Sequence, residues 1–378
     1  MSTELSKPSP SRSKADRSDV VGPEQSAVTG AEFEVLSADN PDEFRRWAQA
    51  WERIGAEPHA HPAYCVATRT PEAQPHCAIA HQDTGEALIA FDLREVPGQS
   101  RFRDAETPYG YGGCYFSGTV DLSRFWESWD NWAQESDIVG LKVKRHLIAA
   151  ETLEVDGLRF NPQDHIVIPL DQSADSLWGS FQTRARSDIR AGRRNGVEVV
   201  LDTGCQRLKD FHDAYWQNMH RVHAKPYYFF TLDALAGLCS AMPDSVALFH
   251  ALHDGTLLSS ELILLGRNNA YLFLTGALPQ ARDLRANHLM QWETMKQLQD
   301  WGYRRYVIGG GMAKRDALFD YKRAFAPQGI FPLEVVYRES LPAAARQLAR
   351  QRRDREPGWE PAQDFAPVYR APNRQPMP

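Results

Sequence analysis

At 378 residues the chain exceeds what one hydrophobic core usually serves, so two domains are expected. Hydrophobic residues make up 42% and charged residues 24%, an ordinary globular balance, and a net charge of −6 argues against a protein that coats nucleic acid over its whole surface. No apolar run approaches the ~20 residues of a membrane helix, the N-terminus lacks the apolar stretch of a secretory leader, and the 5 cysteines form an odd set without a C-x-x-C pair. A soluble cytoplasmic protein with reduced thiols, and without metal or cofactor, is expected.

Residues 1–30 are rich in Ser, Pro, Lys, Asp and Glu, a composition that cannot offset its ordering entropy, so disorder is expected there. Residues 76–81 and 86–92 read as strands around the turn residues Asp83-Thr84-Gly85. An amphipathic helix around Trp126-Glu127-Ser128 follows, then an apolar strand near 138–143. The same order returns later. Strands at 246–252 and 257–266 flank Asp254-Gly255, a strong hairpin signal, and a third strand covers 271–275. A helix carrying Trp292-Glu293-Thr294 and a strand over 303–308 complete the series, and the two helices overlay without a gap, which points to an internal duplication. Hairpins combined with a late helix–strand unit give an α/β fold with mixed, α+β-like sheets. The expected division is a first domain over 31–170, a second over 171–340, and a basic helix with a Pro-rich tail over 341–378. In that tail Phe365, Val368 and Tyr369 are apolar enough to dock on the body.

Residues 303–325 read YRRYVIGGGMAKRDALFDYKRAF, a strand ending in Gly309, Gly310 and Gly311 and then a polar loop leading to Lys322. Consecutive glycines let backbone approach a ligand, and a lysine beyond them can place charge on an oxyanion or phosphate. The alternative is a flexible connection with a surface lysine. In a helix starting near Ser176, Trp178, Phe181, Ala185 and Ile189 form one stripe, while Arg186, Arg190, Arg193 and Arg194 form another face. Such a face can grip the phosphates of a tRNA acceptor stem, and a second cluster of Arg346, Arg350, Arg352, Arg353 and Arg355 can extend it; a solvated surface is the alternative. Arg221 and Tyr228 stand out in the aromatic–basic run 215–230 because their polar tips need partners if buried, whereas Phe229 and Phe230 read as core. Glu261 interrupts the apolar strand LLSSELILL, so it either points outward or is kept to hold an amine or act as general base. The pairs His59/His61 and His220/His223 lack a third metal ligand nearby, and no G-x-S-x-G elbow marks a covalent nucleophile.

The run Asn287-His288-Leu289-Met290-Gln291-Trp292-Glu293, the three glycines, and Ala317-Leu318-Phe319 through Lys322 and Phe325 resemble the C-terminal half of FemABX-like proteins of the GNAT superfamily. SDIRAGRRNGVEV at 187–199 and the 215–230 run are similar to further segments of that family, and TPYGYGG at 107–113 resembles a loop of the same broad group. The resemblance extends over about residues 32–340. It implies tandem GNAT folds and amide-bond formation with aminoacyl-tRNA as donor, and it places the lysine matched by Lys322 in the cleft where donor and acceptor meet. Lys322 and Glu261 are therefore the catalytic candidates, with Tyr109, Tyr111, Arg221, Tyr228, Asn287, Gly309, Gly310 and Gly311 as substrate contacts. Ordinary GNAT enzymes hold the CoA pyrophosphate on R/Q-x-x-G-x-G/A at a helix N-terminus. The corresponding run here, RDLRANHL at 282–289, lacks those glycines and disfavours CoA. An acyl-CoA-dependent N-acyltransferase and a non-catalytic pair binding RNA or a glycan precursor remain open, as do the acceptor (a peptide-like, glycan or small-molecule amine) and the oligomeric state.

Overall fold

The computed structural model describes residues 32–148, 152–362 and 365–374, so the N-terminal segment expected to be disordered lies outside the described residues. The chain begins with β1 (Glu32–Ser37), α1 (Pro41–Ile54), α2 (Pro62–Thr68), β2 (Ala73–Gln82), β3 (Gly85–Glu95) and β4 (Arg103–Glu106). It continues with β5 (Cys114–Gly118), α3 (Leu122–Glu135), β6 (Ile138–Lys144), β7 (Leu158–Phe160) and β8 (Asp164–Pro169). Next come α4 (Ala174–Ser180), α5 (Thr183–Arg194), β9 (Glu198–Asp202), α6 (Leu208–Arg221), α7 (Leu232–Ala241), β10 (Val246–His253), β11 (Thr256–Leu265) and β12 (Asn269–Ala277). The last elements are α8 (Gln280–Asp283), α9 (Ala286–Asp300), β13 (Arg305–Gly309), α10 (Ala317–Arg323), β14 (Ile330–Pro332), β15 (Val335–Glu339) and α11 (Pro342–Arg355).

Two compact units form. The first gathers Glu32–Ile166, Gly310–Arg323 and the described residues from Ile330 onward; the second comprises Val167–Gly309 and Ala324–Gly329. In the first unit the strands run β1-β2-β3-β4-β6-β15-β7, with β5 paired to β3. β4 and β6 are parallel, which demands a crossover, and α3 supplies it. Asp121 caps α3 by accepting from the amides of Ser123 and Arg124, and the helix then buries Phe125, Trp126, Trp129 and Ala133. β3 alternates as a strand buried on both faces must: Ala87, Ile89, Phe91 and Leu93 meet the α3 side, while Leu88 and Ala90 meet α1 and α2. Trp129 is fully enclosed, and its truncation to Ala would cost about 3–5 kcal/mol.

The C-terminal tail is part of this unit. Tyr369 packs with Val96, Val139 and Leu348, Arg370 pairs with buried Asp104, and the Lys142 ammonium lies 5.1 Å from the centre of the Phe365 ring. Tyr369 thus docks and Phe365 is half-buried, as expected, whereas Val368 is exposed.

In the second unit the strands run β13-β12-β11-β10-β9, antiparallel except for β12 and β13, and α9 is the crossover between that parallel pair. Each unit therefore repeats one sequence of events: antiparallel strands, a helix, then a parallel strand. The helices matched by Trp126-Glu127-Ser128 and Trp292-Glu293-Thr294 are α3 and α9, and both tryptophans are buried. One expectation is corrected. The helix read from Ser176 onward is two helices, because Phe181 is extended at ψ 148 and the Gln182 amide leaves to donate to the Ala324 carbonyl. That break lets the Phe181 ring pack edge-on against Trp292 and Phe325. Among the described residues no helix is long and apolar enough to cross a membrane.

Candidate active site

In the first unit the 107–113 loop is fastened to the end of β6. The Thr107 amide donates to Lys142 O, its hydroxyl accepts from the Lys144 amide, the Gly112 amide donates to Lys144 O, and the His146 amide donates to Gly112 O. The Tyr64 hydroxyl donates to the Tyr109 carbonyl at 2.9 Å. So anchored, the loop delivers Tyr111 into a buried aromatic group, its ring edge-on to His59 at 5.3 Å and to His165 at 5.4 Å. The Tyr111 oxygen lies 2.6 Å from His165 Nδ1, and His165 Nε2 lies 2.8 Å from the Gln163 amide nitrogen. With Gln163 donating to Nε2, the imidazole proton sits on Nδ1 and is donated to the Tyr111 oxygen.

Burial first, and then the Lys322 charge, lower the His165 pKa to about 4 against the opposing pull of Asp164, so this imidazole is neutral near pH 7. Burial, with His146 and Lys144, lowers His59 to about 3. Burial likewise pushes the Tyr111 phenol above its ordinary range. A neutral, oriented hydrogen-bonding group results rather than a pair of charges.

The same centre receives the glycine–lysine segment. Lys322 Nζ donates to the Gly310 carbonyl at 2.8 Å. A Cβ on residue 310 would stand 2.7 Å from the Asp164 carbonyl and 2.8 Å from the His165 ring, so only glycine lets this backbone lie beside the imidazole. Asp316 shapes the turn between them. Against the upward push of burial, the amides of Phe319, Ala313, Met312 and Leu318 lower its pKa, and three of those bonds measure 2.7–3.0 Å. The structure thus brings Tyr111, Gly310 and Lys322 together around His165. His165 and Gln163 carried no sequence signal, and His59 was visible only as half of a His-x-His pair. His61 caps α2 by accepting from the Ala63 amide.

Gly311 also lies in the first unit, where a Cβ would meet the Asp316 carboxylate, and the other candidates lie in the second unit. Glu261 is 2% exposed and accepts from Gln291 Nε2 at 2.6 Å. Asn287 stands in the first turn of α9, and its Oδ1 is enclosed without a hydrogen-bond partner among the described residues. The Tyr228 carbonyl accepts from the Tyr215 hydroxyl, and the Arg221 guanidinium donates to Asn218. Gly309 ends β13 at φ 74. On α5, Arg186 donates to the Gly179 carbonyl at 3.0 Å, Arg193 pairs with Glu293 at 2.9 Å, and Arg190 lies 5.2 Å from the centre of the Trp178 ring; Arg194 is exposed. Three of the four arginines therefore help to fasten the helix.

The N-terminus of α9, which corresponds to the turn where ordinary GNAT enzymes hold the CoA pyrophosphate, packs against α5. Arg285 is left-handed at φ 60, and both Arg285 and His288 reach Asp188 of α5, at 3.3 and 3.5 Å. A Cβ on Gly192 would stand 3.0 Å from Leu289 Cβ and 3.1 Å from the Arg285 carbonyl, which places α5 directly over this turn.

Residues 179–323 match the family model described as an acetyltransferase (GNAT) domain. No curated protein matches the sequence. Among solved structures, FemX superposes with a TM-score of 0.58 at 16% identity, covering 79% of this chain and 97% of FemX. A conserved protein of unknown function from Bacteroides thetaiotaomicron VPI-5482 gives a TM-score of 0.54 at 10% identity, covering 81% and 98%. The C-terminal domain (DUF2156) of a putative lysylphosphatidylglycerol synthetase from Agrobacterium fabrum gives 0.50 at 11% identity, covering 82% and 96%. These likenesses show the fold, and the matched domain concerns residues 179–323. Residues 179–323 thus carry a GNAT acetyltransferase domain, within a chain whose fold is similar to that of FemX.

Proposed function

We propose that the protein transfers an aminoacyl group from aminoacyl-tRNA to an amine, forming an amide bond, as a cytoplasmic enzyme. The observation that carries the choice of donor is the packed N-terminus of α9: the turn that would cradle a pyrophosphate carries no glycine and lies against Gly192 and Asp188 of α5. In this reading the acceptor nitrogen attacks the ester carbonyl, the bond to the ribose oxygen breaks, and the proton lost by the amine passes to the departing hydroxyl. Lys322 stabilises the developing oxyanion, and Tyr111, oriented by His165, is assigned a substrate contact. Glu261 is assigned the amine as hydrogen-bond acceptor or base. Tyr109, Arg221, Tyr228, Asn287 and the three glycines are assigned substrate contacts, and the α5 arginines tRNA phosphates. An acyl-CoA donor is the second reading, favoured by the GNAT domain match over 179–323.

The test is incubation of the full chain with amine acceptors and either labelled aminoacyl-tRNA pools or labelled acyl-CoA pools. Label from the tRNA pool in a base-stable amide is the expected result. Label arriving only from CoA would replace the first reading with the second.

A further inference from the structure

A groove of about 840 Å³ opens in the first unit between α11, the paired strands β7 and β15, and the tail around Val368. Arg346, Arg350 and Arg353 line its helical wall. Spacings of four and three residues put them on one face of α11, spread over about 10 Å of helix axis. All three are exposed. Among the described residues Arg346 and Arg350 have no ion pair or hydrogen bond to the protein, and the Arg353 guanidinium meets only the Trp359 ring, at 5.8 Å. The other arginines of the helix are differently employed: Arg352 donates to the Tyr369 and Ala371 carbonyls, and Arg355 to the Gln351 carbonyl. This row is also less committed than the α5 arginines, three of which hold partners within their own unit.

The rest of the lining narrows the ligand. Leu158 and Val368 are 58% and 42% exposed, an apolar surface beside the cations. Asp156 and Glu339 also line the groove and are acceptors for hydroxyl groups rather than anions. We propose that this groove seats a single-stranded segment of RNA, with successive phosphates on Arg346, Arg350 and Arg353, bases against Leu158 and Val368, and ribose hydroxyls donating to Asp156 and Glu339. The choice of RNA as the polyanion rests on the proposed aminoacyl-tRNA donor. Three guanidiniums in a row suit a phosphodiester chain better than a lone phosphate. An anionic bilayer fits poorly, because the apolar residues of α11, Ala344, Ala345, Leu348 and Ala349, are buried within the unit and two carboxylates share the groove.

The experiment measures binding of deacylated tRNA and of a uridine 12-mer to the full chain across a salt series. Wild type is compared with the Arg346→Gln/Arg350→Gln/Arg353→Gln triple and with a charge-matched triple at Arg45, Arg69 and Arg101, which lie elsewhere on the same unit. The groove triple is expected to lower the slope of log K against log salt by about 2, from about 0.7 per single-strand phosphate, and to weaken binding about tenfold or more. The control triple should change affinity less than about threefold by the same counting. Equal loss in both triples, or an unchanged slope in the groove triple, overturns the proposal. Displacement of the 12-mer by millimolar uridine diphosphate, lost only in the groove triple, would make this a small-phosphate site and also overturn it. Binding is read without transfer, so the two readings separate. If transfer from aminoacyl-tRNA fails while the groove triple still weakens RNA, the donor assignment falls and the groove stands; if transfer succeeds and the triple binds normally, only the groove falls.

Discussion

The Tyr111 oxygen and His165 Nδ1 lie 2.6 Å apart and are buried together, which ties the 107–113 loop to the strand that leads out of the first unit. His165 cannot charge near neutral pH, so the contact orients the phenol rather than ionising it. Tyr111→Phe deletes the hydroxyl and keeps the ring against His59. It is expected to lower kcat/KM about tenfold or more, the equivalent of one hydrogen bond of ~1.5–3 kcal/mol to a charged group, with little change in melting temperature. Unchanged kinetics would reduce Tyr111 to packing.

Acid should destabilise the fold well above the usual carboxylate range. Buried His59, His61 and His165 have pKa values lowered to about 3, 4 and 4. The unfolded chain therefore binds more protons than the native one from about pH 6.5 downward, and stability falls with pH through that window. Asp92 acts in the opposite sense, since burial raises its pKa to about 7 and the native state holds that proton where the unfolded chain has lost it. Three groups oppose one, and each tenfold difference in proton affinity between the native and unfolded chain is worth about 1.4 kcal/mol, so the net trend is loss on acidification. The urea midpoint at pH 5 should lie below that at pH 7.5, and His165→Gln should narrow the difference. A midpoint that rises on acidification would contradict the balance.

Much of this architecture is written in local pattern. The Asp254-Gly255 hairpin, the strands beside it and the two tryptophan-bearing helices all follow from periodicity and turn chemistry, and each lies where those signals place it. The break at Phe181 does not, because what decides it is the fit of one ring between Trp292 and Phe325, far away in sequence. The site divides in the same way. Lys322 and the glycines announce themselves as a motif, but His165 and Gln163 matter only because the 107–113 loop and the 310–323 segment return to one place, and spacing along a chain carries no record of that return. Nor did composition sort the arginines: Arg352 and Arg350 look alike in sequence, yet one is held by the carbonyls of Tyr369 and Ala371 while the other faces a groove.

Coenzyme A should not stabilise the protein. The α9 N-terminus is packed against Gly192 and bridged to Asp188, so a pyrophosphate would have to displace α5. A ligand present at 100 times its Kd adds about 2.7 kcal/mol of stability. Acetyl-CoA at about 1 mM, which would be in that excess over any Kd near 10 μM, should therefore leave the melting temperature unmoved. A rise of several degrees would restore CoA as a candidate donor.

Lys322 carries the most direct test of the chemistry. Its ammonium is held on the Gly310 carbonyl at 2.8 Å, in the segment that lies against His165, and its charge is close enough to that imidazole to help lower its pKa. A cation already fixed in place needs little reorganisation as a carbonyl oxygen gains charge, and losing one such preorganised group typically raises a barrier by ~2.7–4 kcal/mol. Lys322→Met keeps most of the apolar stem and deletes the charge. The expected outcome is a fall in kcat on the order of 100-fold or more, with the unfolding midpoint close to wild type. If the lysine instead binds a donor phosphate, KM for the donor should rise while kcat holds, because an interaction made equally in ground and transition states does not speed the chemical step. A variant with both constants unchanged would remove Lys322 from the reaction and leave it as the clasp on Gly310.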